Sequence, residues 1–300
     1  MIDTVTYRHP EAIVSTQWLA DHLDEPSVRV VDARFNVRVS PAGALEAVAE
    51  RDAYARAHIP GAVFVDVMAD LTDPDDPLAV SPPERFESLM NRLGIGDEST
   101  VVIYDDQGGT WAARLWWALR YYGHEPVTLL DGGFTRWQAE GRPLESEIPV
   151  PPSANFRARV RPDLRVDADQ VMTAIGRDDV RIVDALPEVF FSGQARLFPG
   201  HRAGHIPSAH NVPAPDLVDP VTQSLLPAAE LARRWEPLGL EPERQVITYC
   251  GSGVFGAFAL FALYVTGHEN AALYDASWME WGADPDRPVE TGPSSDQPRP

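Results

Sequence analysis

The two halves of the chain carry the same set of short motifs in the same order. The first half contains Val30-Val31-Asp32-Ala33-Arg34, His58-Ile59-Pro60-Gly61-Ala62, Val101-Val102-Ile103-Tyr104-Asp105 and Leu129-Leu130-Asp131-Gly132-Gly133. The second half contains Ile182-Val183-Asp184-Ala185, His205-Ile206-Pro207-Ser208-Ala209, Val246-Ile247-Thr248-Tyr249-Cys250 and Leu273-Tyr274-Asp275-Ala276-Ser277. The spacing also agrees, because His58 to Asp105 is 47 residues and His205 to Cys250 is 45. Order and spacing together indicate an internal duplication.

Each half alternates short apolar segments with helical patterns such as Arg114–Leu119. This alternation predicts an α/β fold in which each half forms a mostly parallel β-sheet flanked by helices. We expect an N-terminal domain over residues 1–145 and a C-terminal domain over 166–290. A proline-rich linker over 146–165 and a disordered tail over 291–300 complete the expected organisation.

The single cysteine, Cys250, lies between a predicted strand and an apolar segment that is typical of a buried helix. The residues after it are Gly251, Ser252, Gly253, Val254, Phe255 and Gly256. Backbone N–H groups converge at a helix N-terminus and the helix dipole favours negative charge there. We therefore expect a lowered thiol pKa and a nucleophilic thiolate near neutral pH. A lone cysteine is more often a small buried apolar residue, but the glycine spacing favours catalysis.

The duplication places Asp105 in the first half where Cys250 stands in the second. A carboxylate cannot form a persulfide, so covalent chemistry is expected in the C-terminal domain alone. The N-terminal domain is then catalytically inert.

The composition narrows the choice of partners and compartment. The net charge of -20 argues against nucleic acid and against an anionic membrane. One cysteine excludes an intrachain disulfide and a cysteine-based metal cluster, which fits a reducing compartment. Neither a signal peptide nor an apolar run of membrane-spanning length is visible, so we expect a cytoplasmic protein.

These motifs resemble those of tandem-domain rhodanese-type sulfurtransferases, and among them most closely those of the 3-mercaptopyruvate sulfurtransferases. The resemblance covers nearly the whole chain and includes the Cys250–Val254 loop. It implies that a sulfur atom moves from 3-mercaptopyruvate or thiosulfate, through a Cys250 persulfide, to cyanide or a thiol acceptor such as a thioredoxin or a low-molecular-weight thiol. It implies neither a metal nor an organic cofactor. Thiosulfate-type loops place basic residues directly after the cysteine, whereas Gly251 and Ser252 are uncharged.

Two positions depart from the mercaptopyruvate pattern. Phe255 follows Val254 where the family has threonine, and Phe190 stands where the family usually has an arginine for the carboxylate of the donor. A guanidinium holds a carboxylate by two directional hydrogen bonds. Arg196 and Arg202 are the candidates to replace it, with Arg196 the stronger of the two.

Three further residues are supporting candidates. His205 could act as a base near Cys250, although a histidine before an Ile-Pro turn more often braces that turn. His58 is its equivalent in the first half, and the resemblance allows it to approach the cleft in a hydroxyl relay with Ser252. Asp184 could hydrogen-bond the cysteine loop, and a turn-capping role explains it equally well.

Three alternative functions differ in the chemistry they require. A thiosulfate sulfurtransferase would use the same cysteine with another donor. A non-catalytic sulfur-relay or binding module is consistent with the altered residues Phe190 and Phe255. A cysteine-based phosphatase needs an arginine to close the loop on phosphate, and no arginine occurs between Cys250 and Val265.

Overall fold

A computed structural model describes residues 6–39, 45–241 and 243–293 of the chain. The chain divides into two compact units. The first unit holds Glu11–Arg161 together with Asp219–Leu225. The second holds Pro162–Val218 and the chain from Leu226 onward, and residues 6–10 belong to it.

The first unit is built on a five-stranded parallel sheet with the strand order β1-β7-β6-β2-β5. Its strands are β1 (Ile13–Val14), β2 (Val28–Asp32), β5 (Val63–Phe64), β6 (Thr100–Tyr104) and β7 (Val127–Leu130). An antiparallel hairpin is formed separately by β3 (Phe35–Val39) and β4 (Leu45–Ala49). The helices of this unit are α1 (Thr16–His22), α2 (Arg51–Arg56), α3 (Pro83–Arg92), α4 (Ala112–Tyr121) and α5 (Gly133–Ala139).

The second unit repeats this sheet, with the strand order β8-β12-β11-β9-β10. Its strands are β8 (Arg165–Val166), β9 (Val180–Asp184), β10 (Ala209–Asn211), β11 (Gln245–Tyr249) and β12 (Ala271–Tyr274), all of them parallel. Its helices are α6 (Ala168–Ala174), α7 (Glu188–Phe191), α8 (Ala228–Trp235), α9 (Val254–Val265) and α10 (Ser277–Trp281). Short 3-10 helices at Pro10–Ala12, Pro162–Leu164, Ala214–Leu217 and Glu236–Leu238 complete the structure.

The strands are rich in apolar residues, so each sheet lies in the core of its unit. Every residue of β7 and of β12 is buried, as expected for a parallel sheet covered on both faces. The central pairs also match in register, because Asp32 is level with Tyr104 in the first unit and Asp184 with Tyr249 in the second. The predicted duplication and the predicted α/β class are therefore confirmed.

Helix α9 is the most apolar element of the second unit and lies almost wholly within its core. It follows the cysteine loop directly, so burial of its side chains fixes the position of that loop against β11 and β12. Among the described residues, no helix is both long enough and apolar enough to cross a membrane.

The segment predicted as a linker has regular structure only at its end, where the Pro162–Leu164 turn leads into β8. Its middle packs on the first unit, since Phe156 is buried and its backbone N–H donates to Asn91 Oδ1 at 2.6 Å. Of the predicted tail, residues 294–300 lie outside the described residues. Gly292 donates its backbone N–H to Ser192 O at 2.9 Å.

Candidate active site at Cys250

Cys250 lies at the carboxyl end of β11, in the turn that leads into α9, and only 3% of it is exposed. Gly253 caps α9 with a φ of 81°, a left-handed conformation that glycine adopts without strain. Hydrogen bonding by the backbone amides of Gly256, Ser252 and Gly253 lowers the pKa of the thiol. The loop therefore presents a set of amides to whatever charge develops on the sulfur.

The expected lowering of the thiol pKa is wrong for the protein without a donor. Burial is the largest influence and raises the pKa of Cys250, and the charge of Asp184 raises it further. These two effects outweigh the loop amides, so the net pKa lies above the ordinary value of a cysteine. The sequence prediction considered the helix end and omitted the loss of water around the sulfur.

The helix that follows β12 holds the cysteine backbone in place. Cys250 N donates to Ser277 Oγ at 3.1 Å, and this hydroxyl donates to Tyr274 O at 2.8 Å. Trp278 N donates to Cys250 O at 3.0 Å. Ser277 has a φ of 54°, which is unusual for a residue with a side chain. The turn at Ser277 thus fixes the backbone of Cys250 through hydrogen bonds to both its N–H and its carbonyl.

Gly251 lies beneath two apolar side chains. A Cβ atom at this position would lie 2.7 Å from Leu197 Cδ2 and 3.4 Å from Phe198 Cζ. The segment that carries them is tied to the same loop, because His201 Nε2 bonds Met279 O at 3.1 Å and Met279 N donates to Gly251 O at 2.9 Å. A larger residue at 251 requires this cover to move.

The corresponding loop of the first unit is closed on a carboxylate. Asp105 is fully buried, and its side chain accepts N–H bonds from the backbone of four loop residues. The donors are Gln107 at 2.8 Å, Gly109 at 2.8 Å, Trp111 at 2.7 Å and Ala112 at 3.0 Å. Burial raises the pKa of Asp105, and the four N–H bonds counteract this effect. The amides of the first-unit loop are therefore occupied by a side chain of the loop itself.

Asp184 lies at the end of β9, beside the cysteine strand, and is fully buried. Its Oδ1 accepts a hydrogen bond from Leu186 N at 2.8 Å, which is the turn-capping role considered above. Burial raises the pKa of Asp184 to about 7, although the Tyr249 hydroxyl facing the carboxyl lowers it. Asp184 also acts on Cys250 through its charge.

The two histidines occupy equivalent bracing positions. His205 Nδ1 bonds Phe191 O at 2.8 Å, and the ring stacks on Phe191 with centroids 3.7 Å apart. His58 bonds Tyr54 O at 2.8 Å and stacks on Tyr54 at 4.2 Å. Backbone bridges join each histidine to a glutamate, His58 to Glu145 and His205 to Glu290. These contacts favour the structural role over that of a base.

The two candidate arginines differ in how they are engaged. Arg196 is exposed, and its Nη1 donates to His201 O at 3.1 Å. Arg202 is half-buried, and its guanidinium donates to the carbonyls of Gly282, Trp281 and Arg287. Arg196 is therefore still the stronger candidate for binding the donor. Arg202 instead ties its loop to the backbone at the end of α10 and beyond it.

The remaining loop residues lie as follows. Ser252 and Phe255 are partly exposed, whereas Gly251, Gly253, Val254 and Gly256 are buried. Phe190 is partly exposed on α7. Within the described ranges, no group of three histidine, cysteine, aspartate or glutamate residues is arranged to hold a metal ion.

Sequence reasoning missed several residues of the site. Ser277 and Tyr249 could have been found from the repeat, since Gly133 and Tyr104 are their counterparts, and so could Leu186, which stands where the first half has Arg34. Leu197 and Phe198 lie in a segment without regular structure, and no spacing pointed to their contact with Gly251.

Comparison with known proteins identifies the family of the chain. The rhodanese-like domain family matches residues 15–140 and 167–284. The 3-mercaptopyruvate sulfurtransferase of Escherichia coli K12 is 37% identical over 280 residues, covering 92% of this chain and 97% of that protein. The thiosulfate sulfurtransferase of Azotobacter vinelandii is 35% identical over 238 residues, covering 79% of this chain and 87% of that protein.

A third relative and a solved structure extend the comparison. The sulfur carrier protein TtuD of Thermus thermophilus is 34% identical over 287 residues, covering 92% of this chain and 95% of that protein. The crystal structure of SseA from Escherichia coli, solved to describe the rhodanese fold of the 3-mercaptopyruvate enzymes, matches with a TM-score of 0.79 and 34% identity. It covers 90% of this chain and 99% of that chain. The predicted resemblance is confirmed: the chain belongs to the rhodanese-like family and is a two-domain sulfurtransferase.

Proposed function

We propose that this sulfurtransferase carries sulfur as a persulfide on Cys250, takes it from 3-mercaptopyruvate and delivers it to a thiol. The position of the buried Cys250 in the glycine-rich turn before α9 is the observation that carries the proposal, and the backbone amides of Ser252, Gly253 and Gly256 lower the pKa of its thiol. The matching loop of the first unit holds the Asp105 carboxylate with four amides, so loops of this shape suit a negative charge. A persulfide anion on Cys250 would receive the same stabilisation.

The first step is attack of the Cys250 thiolate on the sulfur of the donor. The carbon–sulfur bond of 3-mercaptopyruvate breaks, and its electron pair forms the enolate of pyruvate. The enolate takes the proton that the donor thiol releases, which leaves Cys250 as a persulfide anion. In this proposal Ser252, a partly exposed loop residue, hydrogen-bonds the carbonyl of the donor.

In the second step a thiolate acceptor attacks the outer sulfur of the persulfide. The sulfur–sulfur bond breaks, the acceptor leaves as a persulfide and Cys250 returns as a thiolate. A low-molecular-weight thiol or a thioredoxin-type dithiol suits this step, and cyanide would leave as thiocyanate. A reducing compartment such as the cytoplasm fits a catalytic cysteine that must remain unpaired.

The choice of donor rests on the space around Gly251. The basic residue that follows the cysteine in thiosulfate-type loops would have to displace the Leu197 side chain here, since a Cβ at 251 would lie 2.7 Å from Leu197 Cδ2. Arg196 is the proposed ligand for the donor carboxylate in place of the arginine replaced by Phe190. A guanidinium has five N–H donors, so it can bind a carboxylate while it keeps its bond to His201 O.

Parallel assays of the two donors test this proposal. With cyanide or a thiol as acceptor, pyruvate release from 3-mercaptopyruvate is expected to exceed sulfite release from thiosulfate by at least roughly tenfold in kcat/KM. Cys250→Ser is expected to abolish both reactions. Faster sulfite release would make thiosulfate the donor instead.

Sulfur carriage without rapid turnover is the second candidate function, and the raised pKa of the Cys250 thiol favours it. A carrier would release one equivalent of pyruvate per protein and then stop until a specific acceptor arrives. Continuous pyruvate release with a simple thiol present would exclude this role.

A further inference from the structure

The two units bury the same pair of side chains in the same register. An aspartate ends the central strand of each sheet, and a tyrosine ends the neighbouring strand, as Asp32 with Tyr104 and Asp184 with Tyr249. Each tyrosine hydroxyl accepts a backbone N–H bond, from Ile59 at 3.2 Å in the first unit and from Ile206 at 3.0 Å in the second. The two pairs can therefore be compared directly within one molecule.

In the first unit the aspartate is neutralised by an arginine. Arg34 Nε donates to both carboxylate oxygens of Asp32, at 2.9 and 3.1 Å, and Arg34 Nη2 lies 2.7 Å from Asp32 Oδ2. The Tyr104 hydroxyl donates to the same oxygen at 2.7 Å. The buried charge of Asp32 is thus paired and hydrogen-bonded, as a buried carboxylate requires.

In the second unit Leu186 replaces the arginine, and the carboxylate loses its cation. The backbone N–H of Leu186 still bonds Asp184 Oδ1, as the N–H of Arg34 bonds Asp32 Oδ1. Asp184 Oδ2 is buried and has no hydrogen-bond partner within the described part of the chain. A fully buried carboxylate without a cation is costly unless it takes up a proton.

In the part of the chain that the structure describes, no cation beside Asp184 compensates for the missing arginine. On one side Asn211 is level with it, and its amide donates to the backbone oxygen of Asp184 at 3.0 Å. On the other side is Tyr249, followed by Cys250. His210 is level with Val183 and so projects from the opposite face of the sheet. The influences on the Asp184 pKa are burial, Tyr249 and the Leu186 N–H.

We propose that Asp184 is a positioning residue that controls Cys250 through its own proton, and that Leu186 creates this control by leaving the carboxyl without a cation. The neutral acid permits the Cys250 thiolate, whereas the carboxylate opposes it. Asp184 thus acts on the reaction through Cys250 and without touching the donor. The proposal rests on Cys250 being the reactive thiol of the proposed function.

The coupling follows from the charges already described. The Asp184 carboxyl, with a pKa of about 7, ionises before Cys250, whose pKa lies above the ordinary value of a cysteine. Its negative charge then raises the pKa of Cys250 further. Removing that charge should therefore lower the pH at which the thiol loses its proton.

Thiolate absorbance measured against pH tests the proposal, because Cys250 is the only cysteine. The natural chain is expected to titrate as a thiol whose pKa the ionised Asp184 has raised, with Cys250→Ser as the blank. Asp184→Asn and Leu186→Arg are each expected to lower the midpoint of the curve by about half to one pH unit. Alkylation by iodoacetamide at pH 9, where the Asp184 carboxyl of the natural chain is ionised, should become roughly three- to tenfold faster.

Asp32→Asn is the matched control, and it should leave the Cys250 midpoint unchanged. An unchanged or raised midpoint in Asp184→Asn would overturn the proposal. Leu186→Arg adds a charge to a buried position, so Asp184→Asn alone decides the matter if that variant does not fold. No sulfur donor is used, so the outcome is separate from that of the proposed function.

Discussion

Asp105 stands in the first unit at the position that Cys250 holds in the second, and its carboxylate fills the amide loop that in the second unit surrounds the thiol. The four N–H donors to Asp105 lie at 2.7 to 3.0 Å. The duplication has therefore produced one loop whose amides are occupied by its own carboxylate and one whose amides surround a thiol. The residue that ends the strand is what distinguishes the two loops.

Removing the Asp105 carboxylate should destabilise the protein and leave its chemistry intact. Asp105→Asn keeps one oxygen acceptor and is expected to lower the free energy of unfolding by about 2 kcal/mol, while Asp105→Ala should lower it by about 3–4 kcal/mol. Denaturant unfolding measures the loss, and sulfur loading per folded molecule should not change. Asp106→Asn is the neighbouring control, and an equal loss there would contradict the role given to the loop hydrogen bonds.

Adding a cation beside Cys250 should require the removal of the apolar cover. Gly251→Arg is expected to lose most of its activity with both donors, since a Cβ at 251 meets Leu197 at 2.7 Å. The double variant Gly251→Arg with Leu197→Ala should recover activity and raise the sulfite-to-pyruvate ratio roughly tenfold. Leu197→Ala alone controls for the cavity. Full activity of Gly251→Arg without the second change would show that Leu197 does not restrict this position.

Substitutions at Ser277, whose backbone is in the left-handed conformation, can separate the effect of backbone strain from that of hydrogen bonding. Its hydroxyl accepts from Cys250 N, and its φ is 54°, close to the 52° of the equivalent Gly133. Ser277→Ala loses the acceptor and keeps the strain, whereas Ser277→Gly loses the acceptor and relieves the strain. We expect the alanine variant to unfold about 1 kcal/mol more easily than the glycine variant. Equal stabilities would mean that the backbone here is not strained.

The buried carboxyl of Asp184 should make stability fall as the pH rises. Its pKa is about 7 in the folded protein against an ordinary value of 3.8, so between these values the folded state keeps a proton that the unfolded state has lost. Asp184→Asn cannot titrate. Relative to the natural chain, the variant should gain on the order of 2–4 kcal/mol between pH 4 and pH 8. Unfolding by urea at several pH values measures the difference in free energy of unfolding between the two proteins. This difference would not change with pH if Asp184 were ionised in the folded protein over the whole range.

Much of the fold could be predicted from the sequence because the two halves of the chain can be compared with each other. Two sets of apolar strands with matching spacing predicted two parallel sheets, and the order of strands in the two sheets is the same. The position of Cys250 before α9 followed from glycine spacing and apolar periodicity. Local patterns were sufficient here because apolar periodicity and turn chemistry are set by residues close in sequence and agree with the fold.

The pKa shifts of the site could not be predicted from the sequence in the same way. Helix-end reasoning predicted a lowered pKa for Cys250, but burial by residues distant in sequence reverses the direction. The cover formed by Leu197 and Phe198 depends on the path of a segment that has no periodicity. The absence of a cation beside Asp184 was readable from the repeat, since Leu186 aligns with Arg34. The raised pKa of Asp184 that results could be predicted only once the burial of Asp184 was known.

Intact mass after exposure to 3-mercaptopyruvate tests the central claim most directly. The natural chain is expected to gain the mass of one sulfur atom and to lose it again on addition of a thiol or cyanide. Cys250→Ser should gain nothing, and Asp105→Asn should gain one sulfur like the natural chain. A sulfur gain in Cys250→Ser, or no gain in the natural chain with 3-mercaptopyruvate or thiosulfate, would contradict persulfide transfer through Cys250.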